Sequence, residues 1–93
     1  MIKHNQYFSG NVQSLALTGH AKPTTIGVMA VGEYEFGTEA AELMQVVAGE
    51  LQVRLPGTDA WQSFATGTEF HVPADSKFQL KVVIDTAYLC IYG

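Results

Sequence analysis

Apolar and polar residues alternate along short segments of this chain, and glycine or proline bounds most of them. The clearest case is residues 51–55, where Leu51, Val53 and Leu55 fall on one face and Gln52 and Arg54 on the other. Such a period of two is typical of a strand with one buried face. Similar runs, rich in β-branched and aromatic residues, predict strands over residues 25–31, 32–36, 43–48, 51–55, 69–72, 78–82 and 86–92.

Helical patterning is almost absent. The only candidate is one turn over residues 38–43, which is too short to be stable by itself. Turn residues separate the predicted strands, as in Ala48-Gly49-Glu50 and Pro56-Gly57-Thr58-Asp59. Many short strands at close spacing predict an all-β sandwich or barrel. We expect a single domain over residues 1–93, with residues 1–6 loosely ordered.

Composition narrows the class of protein. The chain has 93 residues, of which 47% are hydrophobic and 15% charged, so it is not intrinsically disordered. So few charges also suggest that part of the surface is buried in an oligomer. The net charge of −4 argues against nucleic-acid binding, which needs a basic face. The sequence therefore predicts a small globular protein without a nucleic-acid partner.

The sequence contains little that would indicate disulfide bonds, a membrane-spanning segment or a signal peptide. The single cysteine, Cys90, cannot form an internal disulfide or a cysteine-rich metal site. No apolar run reaches the ~18 residues that a membrane-spanning helix needs. The first residues, MIKHNQYFSGN, contain no apolar signal core. We expect a cytoplasmic protein without a membrane partner.

Two stretches resemble the cupin motifs. The stretch from Gly67 to Phe78 has the spacing of the second motif, with Pro73 in place, but Asp75 stands where the usual glycine would be. Glu42 and the glycine seven residues later have the spacing of the end of the first motif. The resemblance implies a single-domain cupin, a small antiparallel β-barrel of two sheets with an internal pocket.

The usual cupin metal ligands are missing from these positions. Phe36 and Thr38 occupy the two histidine positions of the first motif, and Phe78 occupies that of the second. Glu42 alone cannot hold an ion that needs several converging imidazoles. His71 alternates with Phe70 and Val72 and should face away from the pocket, and the other two histidines lie near the N-terminus. The sequence predicts a cupin without a metal.

A larger set of short sequences resembles one family within the cupins, the small pyrimidine/purine nucleoside phosphorylases. These sequences extend from Tyr7-Phe8-x-Gly10 through Gly32-Glu33-Tyr34 and Phe70-x-Val72-Pro73 to Ala87-Tyr88-Leu89-Cys90-x-Tyr92. The resemblance implies a homodimer. It also implies phosphorolysis of many nucleosides to free base and ribose 1-phosphate, with phosphate as co-substrate and no other cofactor.

Strand alternation and the cupin register predict which residues face the pocket. Glu42 is the candidate catalytic residue, because a carboxylate among apolar neighbours could accept hydrogen bonds from ribose and oppose the positive charge of an oxocarbenium-like state. Aromatic rings could stack on a base, and tyrosine hydroxyls could contact the sugar or phosphate. The predicted substrate-binding residues are Tyr34, Phe36, Thr38, Phe78, Tyr88 and Tyr92.

The phosphate ligands are less clearly marked. Lys77, beside the inward Phe78, and Lys22, in a loop that could fold over the barrel mouth, are the candidate phosphate-binding residues. Backbone amides with nearby threonine or serine hydroxyls are an alternative cradle.

Other functions fit the same pocket. A non-catalytic cupin could bind a sugar or nucleotide, since fold does not decide function. A sugar isomerase or epimerase would use Glu42 as its base. A purely structural role would involve no ligand.

Overall fold

Two antiparallel sheets make up the fold. The computed structural model of the chain describes residues 1–93. One sheet has six strands in the order β1-β2-β3-β10-β5-β8, and the other has four in the order β4-β9-β6-β7. The strands are β1 His4–Tyr7, β2 Val12–Leu17, β3 Thr24–Met29, β4 Gly32–Gly37, β5 Glu42–Ala48, β6 Glu50–Arg54, β7 Gln62–Ala65, β8 Glu69–Val72, β9 Lys77–Val82 and β10 Thr86–Tyr92.

The core lies between the two sheets, and strand alternation selects it. On β9, for example, Phe78, Leu80 and Val82 are buried, while Lys77 is exposed. On β10, Tyr88 and Cys90 are buried inward, and Leu89 and Ile91 lie half-buried on the opposite face. The inward positions expected from the sequence are therefore confirmed on these strands. Removing such apolar surface from water is the main force that holds the sheets together.

Three strands lie outside the segments that the alternation predicted, namely β1, β2 and β7. Strand β2 mixes small or polar residues on its inner face, such as Ser14, with exposed Leu15 and Leu17 on its outer face, so its alternation is ambiguous. Strand β7 is a four-residue edge strand. The predicted helical turn over residues 38–43 is wrong, because residues 38–41 form a loop that bends at Glu39 and Ala40, and β5 begins at Glu42.

The N-terminal segment contains a strand that the alternation did not predict. Residues 4–7, of which 4–6 fall in the part expected to be loosely ordered, form β1, which pairs with β2 from His4 opposite Leu15 to Tyr7 opposite Val12. A short 3-10 turn, Phe8–Gly10, follows β1. Its Phe8 ring packs 5.0 Å from Tyr34, and the Tyr7 ring lies edge-on 5.9 Å from Phe36. These rings close the gap between the edge strands β1 and β4, which we call the β1–β4 seam.

The outer face of the six-stranded sheet is unusually apolar. Cross-strand neighbours place Leu15 beside Ile26 and Ile26 beside Leu89, while Ile91 lies beside Leu43. We call this the outer apolar face. None of the chain's helical segments has the length and apolar character needed to cross a bilayer.

Candidate functional site

A cavity of about 370 Å³ opens between the two sheets. This volume lies within the range of ~300–1,000 Å³ typical of small-ligand pockets. Strands from both sheets contribute to it, together with the loop before β5. Its lining residues are Tyr7, Ser14, Met29, Phe36, Gly37, Glu39, Ala40, Glu42, Met44, Phe78, Tyr88, Cys90 and Tyr92.

One part of the cavity wall is aromatic. Phe36 on β4 is the direct cross-strand partner of Phe78 on β9, and their rings stack with centroids 6.0 Å apart and an interplanar angle of 26°. Phe78 is 2% exposed, whereas Phe36 is half-buried. A flat aromatic surface of this kind can stack on any nucleobase, because every base has a π-face.

The other part of the wall is polar and comes from β5 and β10. These strands pair so that Glu42 lies opposite Tyr92, and Met44 lies opposite Cys90. The Cys90 thiol donates a hydrogen bond to Glu42 Oε1 at 3.6 Å. The Tyr92 hydroxyl shares a hydrogen bond with the Thr25 hydroxyl at 3.4 Å. The cavity therefore presents one half-buried carboxylate with a thiol and two phenols on the same wall.

Burial keeps the hydroxyl and thiol groups of this wall neutral. It raises the pKa of Tyr88 and Tyr92 above the ordinary value of a phenol. Burial, and then the charge of Glu42, raises the pKa of the Cys90 thiol to about 12. Burial also raises the pKa of the Glu42 carboxyl, and the thiol hydrogen bond opposes part of that rise. At neutral pH the tyrosines can therefore donate hydrogen bonds, and Cys90 is not a reactive thiolate.

Five of the predicted catalytic and substrate-binding residues meet in this cavity: Glu42, Phe36, Phe78, Tyr88 and Tyr92. Tyr34 and Thr38 do not line it. The Tyr34 hydroxyl donates to the Ala30 carbonyl at 2.6 Å. The Thr38 hydroxyl donates to the Pro73 carbonyl at 2.7 Å and accepts from the Ser76 amide at 3.0 Å. Both side chains are buried and bond to backbone groups, so they hold loops in place.

The two predicted phosphate ligands lie outside the cavity and apart from each other. Lys77 borders a polar groove that shares Gly37 and Glu39 with the cavity. Its ammonium is 4.0 Å from Glu35, in an exposed pair that adds little stability. Lys22 borders a different groove, which shares Glu42 with the cavity, but its ammonium donates to the Gly93 carbonyl at 2.8 Å. Of the two, Lys77 has the ammonium that is freer to move toward an anion.

Sequence reasoning gave no site role to several lining residues. Tyr7 and Ser14 belong to segments without a predicted strand, and Glu39 belongs to the predicted helical turn. The only signal for Tyr7 was its place in the sequence Tyr7-Phe8-x-Gly10. Within residues 1–93, no three side chains of the His, Cys, Asp or Glu type form a group that could hold a metal ion.

Sequence comparison identifies related proteins. A family model described as pyrimidine/purine nucleoside phosphorylase matches residues 2–92. A protein of that name from Pseudomonas entomophila (strain L48) is 62% identical over 92 residues, covering 99% of this chain and 98% of the relative. Another from Pseudomonas paraeruginosa (strain DSM 24068 / PA7) is 64% identical and covers 99% of each chain.

Comparison with solved structures identifies the fold. A protein of unknown function from Vibrio parahaemolyticus superposes with a TM-score of 0.94 at 45% identity, covering 98% of this chain and 97% of that one. An RmlC-like cupin from Shewanella frigidimarina superposes with a TM-score of 0.77 at 17% identity, covering 99% and 81% of the two chains. The second likeness shows the fold alone. The all-β cupin fold expected from the sequence is confirmed.

Proposed function

Because the chain belongs to the pyrimidine/purine nucleoside phosphorylase family, we propose that it catalyses the phosphorolysis of nucleosides. A phosphate oxygen forms a bond to C1′ of the ribose as the C1′–N bond breaks. The electron pair of that bond leaves with the base, which takes up a proton. The products are a free base and ribose 1-phosphate.

One observation supports this reaction above all: the same cavity joins an aromatic wall to a polar wall around Glu42. The base would lie against Phe36, and the ribose would lie against Glu42 and the phenols of Tyr88 and Tyr92. The Glu42 carboxylate would accept hydrogen bonds from ribose hydroxyls and oppose the positive charge that develops at C1′. A charge fixed in this position stabilises the transition state more than the bound substrate, because the opposing charge develops only in the transition state. That difference accelerates the chemical step.

Broad base specificity and independence from metal ions belong to the same proposal. A wall that stacks on bases without reading their edges would accept purines and pyrimidines alike. Phosphate is itself the nucleophile, so the reaction needs no metal-activated water. By the motif resemblance, Phe36 and Phe78 stand at histidine positions of the cupin motifs, and phenylalanine cannot ligate an ion, which supports a reaction without a bound metal.

The test measures release of uracil from uridine and of hypoxanthine from inosine, with and without phosphate, after exhaustive chelation of metals. We expect release from both nucleosides that requires phosphate and survives chelation. Product formation without phosphate would indicate a different reaction at Glu42. No release from any common nucleoside, with binding retained, would indicate a non-catalytic binding cupin.

Lys77 is our proposed phosphate ligand. Its side chain is 74% exposed at a groove that adjoins the cavity, so its ammonium can swing toward a bound anion. We expect Lys77→Ala to raise KM for phosphate about 10-fold and to leave KM for the nucleoside nearly unchanged, since one charge-assisted hydrogen bond is worth ~1.5–3 kcal/mol. Steady-state kinetics with varied phosphate test this, with Lys22→Ala as the matched control. An equal effect of both variants, or none from Lys77→Ala, would contradict the assignment.

We also propose that the protein is a homodimer that pairs through the outer apolar face. Leu15 is 43% exposed and Val28 52% exposed on this face. A second copy would cover this surface with an identical one, as in a two-fold symmetric interface.

Ile91→Asp tests this interface. Ile91 lies between Thr24 and Leu43 on the outer apolar face, so the variant would bury an unpaired carboxylate in the dimer. A cost of ~3 kcal/mol or more would raise the dimer dissociation constant at least ~100-fold. Analytical ultracentrifugation measures this, with Val83→Asp, 63% exposed in wild type and in the turn after β9, as the control. An unaltered dimer of Ile91→Asp, or a monomeric wild type, would contradict the interface.

A further inference from the structure

Tyr7 lies at the cavity mouth and had no role in the sequence analysis beyond its family resemblance. It ends the edge strand β1, which bonds to β2 alone within the six-stranded sheet. Although Tyr7 is 44% exposed, its ring forms part of the cavity wall and lies edge-on to Phe36, with centroids 5.9 Å apart. A large part of Tyr7 is therefore exposed to water at the mouth of the cavity, where a flat ligand could contact its ring.

The turn after Tyr7 is strained. Phe8 and Ser9 have φ values of 53° and 57°, in the left-handed region that residues with a Cβ rarely adopt, and Gly10 follows with φ of 88°. Strained backbone persists only where its surroundings hold it, and it is frequent at ligand clamps. Here the Phe8 ring supplies that support, since it packs 5.0 Å from Tyr34 and 5.2 Å from Phe36. The turn thus holds Tyr7 at the β1–β4 seam.

One part of the cavity is polar and another part is aromatic. Glu42, Tyr88 and Tyr92 form its polar part, whereas Tyr7 and Phe36 form an aromatic part at the seam. A ligand with a hydroxyl-rich half and a flat aromatic half would fit with the aromatic half at the seam. A nucleoside is such a ligand.

We propose that Tyr7 is the residue that stacks on the nucleobase, through the exposed part of its ring, so that the base lies at the end of the cavity next to the β1–β4 seam. This inference rests on the proposed function, because it takes a nucleoside as the ligand. Both purines and pyrimidines gain from this contact, since stacking does not read base edges.

The test separates the base from the sugar. Equilibrium binding of inosine, hypoxanthine and ribose 1-phosphate is measured by calorimetry without phosphate. Tyr7→Ala is expected to weaken binding of inosine and hypoxanthine about 10-fold, the loss of one base-stacking contact. Binding of ribose 1-phosphate, which lacks the base, should stay within about 2-fold. Tyr7→Phe should bind all three like the wild type, because it keeps the ring.

Two further variants keep the result interpretable. Tyr7→Leu retains apolar bulk without a ring, so it tests the loss of the ring even where truncation to alanine perturbs the fold. It should weaken binding of inosine and hypoxanthine about 10-fold and leave ribose 1-phosphate nearly unchanged. Trp61→Ala removes an aromatic ring outside the cavity from a residue that is 37% exposed, and should change no binding constant. The inference is overturned if Tyr7→Ala binds inosine like the wild type, or if it weakens ribose 1-phosphate as much as inosine. It is also overturned if the wild type binds no nucleoside. Binding without turnover would overturn the proposed function and leave Tyr7 in its role.

Discussion

Glu42→Gln is expected to lower kcat/KM for phosphorolysis about 1,000-fold, the usual effect of removing one preorganised electrostatic group from an active site. Glutamine keeps the size of the side chain and can still bond to a ribose hydroxyl, but it cannot oppose the charge at C1′. The loss should therefore fall mainly on kcat and only slightly on KM for the nucleoside. Initial rates of base release at several nucleoside concentrations measure this split.

The pH profile gives a second measure of the same role. Because burial raises the pKa of Glu42, the acidic limb of kcat/KM should have its midpoint above 4.5, the ordinary value of this carboxyl. Activity should rise with pH as the carboxylate forms. The limb should be absent from the residual activity of Glu42→Gln.

Glu39→Gln is the matched control, because Glu39 also borders the cavity but is exposed. We expect its kcat/KM to stay within about 3-fold of the wild type, because an exposed charge at the rim of the cavity contributes little interaction energy. If both variants lose activity equally, the cavity needs only negative charge and Glu42 has no special position. If Glu42→Gln keeps full activity, Glu42 is no more than part of the wall.

Stability distinguishes loss of chemistry from loss of fold. The raised pKa means that the folded chain holds the Glu42 proton more tightly than the unfolded chain does. The contribution of Glu42 to stability is therefore fully present below the unfolded pKa and is lost as the pH rises through the folded pKa. Glutamine cannot ionise, so at neutral pH the variant should have a melting temperature at least as high as that of the wild type. This advantage should disappear below about pH 4.5.

Gly27→Ala is expected to destabilise the protein by about 3 kcal/mol, at the upper end of what overpacking usually costs. Gly27 and Tyr88 are direct cross-strand partners on β3 and β10. A Cβ at Gly27 would lie 2.5 Å from Cζ of the Tyr88 ring and 2.6 Å from its hydroxyl oxygen. Tyr88 would have to leave its place in the cavity wall, so activity should fall as well. The melting temperature should fall by more than about 10 °C for a domain of this size.

Two comparisons test whether this clash is the cause. Gly37→Ala is the matched control, because Gly37 is also a strand glycine without a positive φ and an added Cβ would meet nothing closer than 3.9 Å. It should cost less than about 1 kcal/mol. In the double variant Gly27→Ala/Tyr88→Leu, the alanine should cost clearly less than it does alone, because the ring is gone. Purely additive costs would mean that the ring does not explain the requirement for glycine.

Much of the architecture follows from the sequence because it depends on local alternation. A period of two decides which side chains of a strand share a face, and no partner strand is needed to read it. This is why Phe78, Leu80 and Val82 were correctly predicted to face inward. The same rule assigned Phe36, Phe78 and Glu42 to the pocket once the cupin spacing supplied the register.

Segments with weak alternation were predicted poorly. Strand β2 carries leucines on its outer face and Ser14 on its inner face, so its pattern does not say which face is buried. Residues 38–41 were expected to begin a helical turn, but hydrogen bonds with Pro73 and Ser76 fix Thr38, and the segment forms a bent loop. Those partners lie 35 and 38 residues away along the chain. Local propensity cannot anticipate such contacts.

The tertiary structure also determines which of the inward-facing residues line the cavity. Tyr34 and Thr38 face inward as the alternation predicted, yet their hydroxyls are used by the Ala30 and Pro73 carbonyls and not by a ligand. Tyr7 enters the cavity only because β1 folds along β2 and brings its ring to Phe36. The sequence by itself determined seven of the strands, the faces that most of them bury and the family. The packing of the two sheets decided which inward groups remain free to meet a substrate, because that depends on distances between residues far apart in the chain.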